Sequence, residues 1–191
     1  MAYTSSVTRE ELWRYDGVLC YLNIMKYPQW RISALNAVTV WLANDMERVE
    51  PVLTLPNNVE ILIKCCVEGL ETKDEGGEAG ESFDQICQAL LRLSVKSERL
   101  SMIFGRDTIF ISHLVSRLDT GGGCSPVSKM CLLKLLGKIV VNRSTYTEHG
   151  IFPLLARLAK DETQILISEL SSSLMKKIAY TYQSPLKKRG R

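Results

Sequence analysis

Apolar residues recur along this chain at spacings of three and four, and no sustained alternation of apolar and polar positions is present. Spacings of three and four place side chains on one face of an α-helix, whereas strict alternation is typical of a β-strand. The pattern therefore predicts an all-α protein. One phrase also returns nearly unchanged, because GVLCYLNIM begins at Gly17 and GIFPLLARL begins at Gly150.

Four predicted helices carry the same apolar stripe, with the spacing i, i+3, i+4, i+7. The steps between successive stripes are 41, 52 and 40 residues, and the longest step contains the acidic, glycine-rich segment 71–81. Without those eleven residues, that step is also 41. The four stripes are Val18, Tyr21, Leu22 and Met25; Val59, Leu62, Ile63 and Cys66; Ile111, Leu114, Val115 and Leu118; and Ile151, Leu154, Leu155 and Leu158.

Longer apolar helices are predicted between the stripes, in RISALNAVTVWLAND, FDQICQALLRLSVKS and SKMCLLKLLGKIVVN. A period of about 40 residues with two or three helices is typical of α-solenoids, in which stacked units cover apolar faces that one unit leaves open. The pattern resembles armadillo repeats and, next to them, HEAT repeats. We predict a right-handed α-solenoid of three to four armadillo-like repeats over residues 1–183, with a basic tail over 184–191.

Three helix starts are marked by capping residues. TREE (Thr8–Glu11) and SFDQ (Ser82–Gln85) have the spacing of a capping box, and SPVSK places Ser125 before a proline at the first helical position. The helix that starts at Thr8 is predicted to cover one end of the array. The helix that follows Asp161–Gln164 is predicted to cover the other end.

Charge and cysteine content narrow the class of protein. The net charge is +3, but four basic residues lie in the last five positions, so the rest of the chain is close to neutral. The pattern gives no signal for specific nucleic-acid binding. The six cysteines form no CxxC pair, and we predict buried free thiols in a reducing compartment, the cytoplasm or the nucleus. The N-terminal residues lack a secretory pattern, and no apolar run is long enough to span a bilayer.

No motif for metalloprotease, serine-hydrolase or phosphate-binding chemistry is present, so we predict neither an enzyme nor a bound metal or cofactor. The glycines at 121–123 are interpreted as a loop between units rather than as an anion site. His113 is interpreted as a residue at the edge of the core.

Binding is the predicted mode of action, because the last helix of each armadillo repeat lines a concave groove. If the striped helices hold that place, the groove runs from acidic to basic and suits a partner of complementary charge. The same residues would also fit a solvated helix face. The groove candidates are Asn23, Tyr27, Glu60, Lys64, Glu68, Ser116, Arg117, Arg157 and Lys160.

The tail carries a second candidate site. Ser184 is followed by proline and by Lys187, a sequence that a proline-directed cell-cycle kinase recognises. The basic residues also fit a nuclear-localisation patch, a membrane-surface patch or a solvated tail without a role.

The stretch WRISALNAVTVWLANDMERVEPVL, residues 30–53, resembles the helical region outside the catalytic domain of kinases of the fungal septation-initiation and mitotic-exit networks. The resemblance rests on Ala34, Leu35, Trp41, Leu42, Arg48, Val49, Glu50 and Pro51. It implies a non-catalytic segment that docks a cytokinesis kinase to a Ras-like small GTPase or to a spindle-pole scaffold. It also implies a place in the cytoplasm or at the spindle pole body or centrosome.

Two alternatives stay open at this point. The alternative function is an armadillo-type scaffold or adaptor that binds extended peptides independently of nucleotide. A homodimer formed through an uncovered end of the array is also compatible with the sequence.

Overall fold

The computed structural model describes residues 5–71, 78–119, 124–140 and 147–183. Within these ranges the chain forms eleven α-helices and no strand, which confirms the all-helical prediction. No helix in the same ranges is long and apolar enough to cross a membrane. The helices are α1 (Ser6–Arg14), α2 (Gly17–Ile24), α3 (Pro28–Asn44), α4 (Met46–Leu53), α5 (Pro56–Glu71), α6 (Glu78–Lys96), α7 (Glu98–Phe104), α8 (Thr108–Asp119), α9 (Pro126–Ile139), α10 (Ile151–Leu158) and α11 (Ile165–Gln183).

The helices pack in two rows that follow chain order. The four striped helices form one row, in which α2 packs on α5, α5 on α8 and α8 on α10. The longer helices form the other row, in which α3 packs on α6, α6 on α9 and α9 on α11. Within each unit the two rows also meet, since α2 packs on α3, α5 on α6, α8 on α9 and α10 on α11. The predicted solenoid of armadillo-like repeats, with its handedness and curvature, stays a prediction.

The core lies between these two rows. Twelve of the sixteen stripe residues are buried, and Tyr21, Val59, Ile63 and Val115 are half-buried. In the first unit Trp41 of α3 is 1% exposed, and its ring packs edge-on against Trp13 and Tyr21 at centroid distances of 6.0 and 6.1 Å. The stripes therefore hold the rows together by burial of apolar surface.

Side-chain hydrogen bonds between units, which we call polar ties, join residues that are separated by a similar number of positions in the sequence. Among the residues that the structure describes, the long-range side-chain hydrogen bonds join positions 37 to 47 apart, which is close to one repeat period. Each unit is therefore tied to the unit that follows it in the chain. The tied pairs are Glu10 with Arg48, Arg31 with Glu68, Glu50 with Ser97, Asp84 with Ser125 and Ser128, Ser112 with His149, Asp119 with Arg157, and Gly137 with Lys177.

The predicted start of α1 at Thr8 is wrong. The helix begins at Ser6, because the Ser5 hydroxyl accepts the Thr8 backbone N–H at 3.0 Å and caps the helix one turn earlier. Thr8 therefore lies inside α1. The helix packs on α2, at the end of the array that it was predicted to cover.

The predicted start of α6 at Ser82 is also wrong. The helix begins at Glu78, since the Glu and Ala residues before Ser82 favour helix, and α5 ends at Glu71. Both helices thus reach into the acidic segment 71–81, whose residues 72–77 lie outside the described ranges. The start of α9 is confirmed, because the Ser125 hydroxyl accepts the backbone N–H of Ser128 at 3.1 Å.

The two glycines that open the repeated phrase have different roles. Gly150 precedes α10 with a φ of 61°, a left-handed conformation that glycine adopts without strain. Gly17 is the first residue of α2, and the left-handed position belongs to Asp16, with a φ of 52°. Gly17 is required for space, since a Cβ atom there would lie 2.7 Å from the Trp41 ring.

The cysteine prediction holds for half of the thiols. Cys65, Cys66 and Cys87 are buried, whereas Cys124 and Cys131 are half-buried. The prediction is wrong for Cys20, which is exposed because it lies two positions from both Val18 and Leu22 and so faces away from the stripe. Burial raises the pKa of the Cys66 and Cys87 thiols far above the ordinary value, which keeps both protonated.

Candidate functional site

An apolar groove lies between α2 and the first turns of α3. Its volume is about 590 Å³, and Tyr27 and Trp30 on its rim are 59% and 57% exposed. Aromatic side chains exposed at an apolar groove are a common feature of sites that bind other proteins. We call this surface the aromatic groove, and it is lined by Tyr21, Ile24, Tyr27, Gln29, Trp30, Ser33, Ala34 and Ala37.

The groove follows from local sequence. Ala34 and Ala37 are buried and short, so the floor between the two helices stays low. Tyr27 precedes Pro28 and adopts an extended conformation, with φ −93° and ψ 118°, as a residue before proline prefers. The chain therefore turns between the end of α2 at Ile24 and the start of α3 at Pro28, which places Tyr27 in the connection and Trp30 in the first turn of α3.

A second cavity of about 440 Å³ adjoins the groove in sequence and lies along α5. We call it the charged cavity, and three of the predicted groove candidates, Glu60, Lys64 and Glu68, line it at successive turns. Lys26 lines the charged cavity and the next residue, Tyr27, lines the aromatic groove. The full lining is Lys26, Asn57, Glu60, Ile61, Lys64, Cys65 and Glu68.

Ion pairing sets the charge of this cavity. Glu68 is held 2.5 Å from Arg31, whose side chain is 8% exposed and whose Nε also donates to the Met25 carbonyl at 3.4 Å. Glu68 therefore serves as the counter-ion of a buried guanidinium as well as lining the cavity. The remaining charges are Lys26, Glu60 and Lys64, which leaves an excess of one positive charge.

The other predicted groove residues line neither the aromatic groove nor the charged cavity. Asn23 accepts a hydrogen bond from Lys26 Nζ at 2.9 Å, so it lies beside the charged cavity. Arg117 stacks on the Phe83 ring at 4.3 Å, and Arg157 forms an ion pair with Asp119. The remaining two candidates, Ser116 and Lys160, are exposed.

The acidic end of the predicted charge gradient carries an excess of one positive charge in the structure, because Lys26, Lys64 and Arg31 stand against Glu60 and Glu68. Lys26 and Arg31 lie among the carboxylates of Glu60 and Glu68 and offset their charge. The residues of the basic end line neither the aromatic groove nor the charged cavity. The candidates therefore form one cluster around the α2–α3 connection and α5, and a separate pair of contacts on α8 and α10.

Few side chains in the part of the chain that the structure describes could bind a metal or take part in catalysis. No group of three His, Cys, Asp or Glu side chains there forms a metal site. His113 is half-buried on α8, and His149 Nδ1 lies 3.1 Å from the Ser112 hydroxyl. The glycines at 121–123 and the candidate phosphosite Ser184 lie outside the described residues.

Sequence reasoning missed most of the aromatic groove. It identified Tyr27, but it left out Ile24, Trp30 and the alanine floor. A signal was available, because Tyr27 and Trp30 are bulky aromatic residues on either side of Pro28 that belong to none of the four apolar stripes.

The chain is similar to one segment of much longer proteins. Cytokinesis protein sepH of Emericella nidulans is 30% identical over 184 residues, which cover 92% of this chain and 13% of that protein. The similarity is to a cytokinesis protein. Cytokinesis protein sepH of Aspergillus niger is 23% identical over 199 residues, or 99% of this chain and 14% of that protein. MAP3K epsilon protein kinase 1 of Arabidopsis thaliana is 24% identical over 192 residues, or 92% of this chain and 13% of that protein.

These relatives agree with the fungal resemblance of residues 30–53 and extend it over nearly the whole chain. The chain spans only 13% to 14% of their length. No family model and no solved structure matches the chain. Its relation to armadillo repeats therefore stays a prediction.

Proposed function

We propose that the chain is a non-catalytic protein-docking segment of a cytokinesis signalling kinase. The similarity to sepH over 92% of the chain supports the link to cytokinesis, and the name of the plant relative supports the link to a protein kinase. The observation that carries the docking role is the aromatic groove, whose rim aromatics Tyr27 and Trp30 are both more than half exposed.

The proposed partner is a Ras-like small GTPase in its GTP state, or a spindle-pole scaffold. This choice rests on the resemblance to the septation and mitotic-exit kinases. The aromatic groove would supply the apolar contact, and the lysines of the charged cavity would orient the partner. The protein would then act in the cytoplasm, at the spindle pole body or centrosome, or in the nucleus.

A pull-down with Ras-like GTPases tests the first partner. We expect the immobilised chain to retain the GTP-loaded form and to release the GDP-loaded form. Trp30→Ala should weaken retention, because it removes a large exposed ring from the groove. Tyr180→Ala is the matched control, since Tyr180 is 72% exposed on α11, far along the chain from the groove. Equal retention of both nucleotide states, or of neither, would exclude the nucleotide-dependent role.

A scaffold that binds extended peptides independently of nucleotide is the second candidate. The two chain-ordered rows of helices favour it, because stacked repeats form long binding surfaces. Reversal of charge at Arg157 and Lys160 should then weaken binding of acidic peptides. Arg157 also pairs with Asp119, so Asp119→Ser is the control for loss of that pair. Unchanged peptide affinity in the reversed variant would argue against a groove along this row.

A further inference from the structure

The start of α11 carries an exposed surface that complements the aromatic groove. Ile165 and Leu166 are 68% and 61% exposed, and Glu169 is exposed one turn later on the same helix. Glu162 is exposed in the turn that precedes α11. Two aliphatic side chains thus stand between two carboxylates, and we call these four residues the acidic–apolar ridge.

Asp161 fixes the turn that carries Glu162. Its carboxylate accepts the Thr163 hydroxyl, the Thr163 backbone N–H at 3.0 Å and the Gln164 side-chain amide at 3.1 Å. These hydrogen bonds, that of the Thr163 hydroxyl above all, lower the pKa of Asp161. The turn that carries Glu162 is therefore ordered before it meets a partner, which reduces the entropy that binding would cost at this end of the ridge.

We propose that the acidic–apolar ridge of one copy of this chain docks in the aromatic groove of a second copy. Ile165 and Leu166 enter between Tyr27 and Trp30, and the two glutamates face Lys26 and Lys64. This interaction goes beyond the proposed function, although it uses the same groove.

The volume of the aromatic groove and the charge of the neighbouring charged cavity both favour this occupant. A volume of about 590 Å³ falls within the range of about 300–1,000 Å³ that ligand pockets occupy, so two aliphatic side chains fit. The charged cavity holds an excess of one positive charge, because Arg31 neutralises Glu68 and two lysines remain against Glu60. The ridge presents two negative charges, so the two surfaces attract each other.

The order of packing explains why a second copy is required. The groove belongs to α2 and α3, which begin the two rows, and the ridge belongs to α11, which ends one of them. The helices α5, α6, α8 and α9 lie between them in the rows, so the ridge of a copy is remote from its own groove. The contact is therefore head-to-tail, and each added copy leaves one groove and one ridge open.

Sedimentation analysis of the full 191-residue chain tests the contact. Between about 1 µM and 1 mM, the weight-average mass should rise above the 21.5 kDa of a single chain. Trp30→Ala should weaken association at least about 30-fold, as loss of an aromatic anchor does. A mass that stays at 21.5 kDa throughout would overturn the proposal.

A mixing experiment identifies the two surfaces. Trp30→Ala weakens the groove and Leu166→Ser weakens the ridge, so each alone should be largely monomeric at a concentration at which the unmodified chain associates. An equimolar mixture should form dimers and nothing larger, because one intact groove then meets one intact ridge. A mixture that stays monomeric, or variants that associate as the unmodified chain does, would refute the assignment.

Charge variants complete the test. Lys26→Glu with Lys64→Glu should weaken association, and a copy with Glu162→Lys and Glu169→Lys should restore it. Lys176→Glu, at an exposed position of α11 outside the ridge, is the matched control. Ridge variants should leave retention of the GTPase intact, so failure of self-association and failure of the proposed docking function give separate results.

Discussion

Replacement of Glu68 by alanine is expected to destabilise the fold, although sequence reasoning assigned this residue to binding. The carboxylate lies 2.5 Å from Arg31, and the Arg31 side chain is 8% exposed while that of Glu68 is 39% exposed. A buried pair that loses one partner costs about 3–5 kcal/mol, whereas an exposed pair contributes about 0–1 kcal/mol. The intermediate exposure of Glu68 places the loss near 2 kcal/mol.

Urea unfolding followed by far-UV circular dichroism measures this loss. The chain, Glu68→Ala, Arg31→Met and the double variant form a thermodynamic cycle, and the double variant should lose less stability than the sum of the single changes. The melting temperature of Glu68→Ala should fall by about 4–8 °C for a chain of this size. Glu60→Ala, two turns earlier on α5, is the control and should change stability by less than about 0.5 kcal/mol. Equal stability of Glu68→Ala and Glu60→Ala would refute the reasoning.

Two further changes are expected to alter stability. Gly105→Ala would place a Cβ atom 2.0 Å from the Ile139 carbonyl oxygen, and the forced separation of α7 and α9 should cost at least about 2 kcal/mol in urea unfolding. Gly137→Ala is its control, since its Cβ would meet only the flexible end of Leu174 at 3.1 Å, and equal stability of both variants would contradict the prediction. Burial raises the pKa of Cys66 and Cys87, so these thiols stay protonated in the fold while the unfolded chain loses the protons near pH 8.5. Stability should therefore fall above about pH 8.5, by about 1.4 kcal/mol per thiol and pH unit, and Cys66→Ala should reduce that slope in urea titrations under reducing conditions. An unchanged slope would contradict this.

The helical class and the packing order of the striped helices were accessible from sequence, because apolar periodicity reports directly which face of a helix is buried. The boundaries were less accessible. Ser5 and Thr8 are both competent capping residues, and only the structure shows that the Ser5 hydroxyl receives the backbone N–H. For α6, the helix-favouring residues before Ser82 prevailed over the capping pattern.

The candidate site was predicted in part. Glu60 and Lys64 lie one turn apart on α5, and this spacing alone places them on one face. The Arg31–Glu68 pair joins residues 37 positions apart, and a contact between two helices has no local signature. The rim aromatics Tyr27 and Trp30 left a signal in the sequence, but the depth of the aromatic groove did not, since it depends on how Ala34 and Ala37 lie between α2 and α3.

The polar ties join residues about one repeat period apart, so each connects only neighbouring units, and this has an evolutionary consequence. A lineage that duplicates or deletes one unit has to fit only the surfaces at the new junction, since the remaining ties connect the same neighbours as before. Descendants of such an ancestor can differ in length by whole units and still keep every retained unit recognisable.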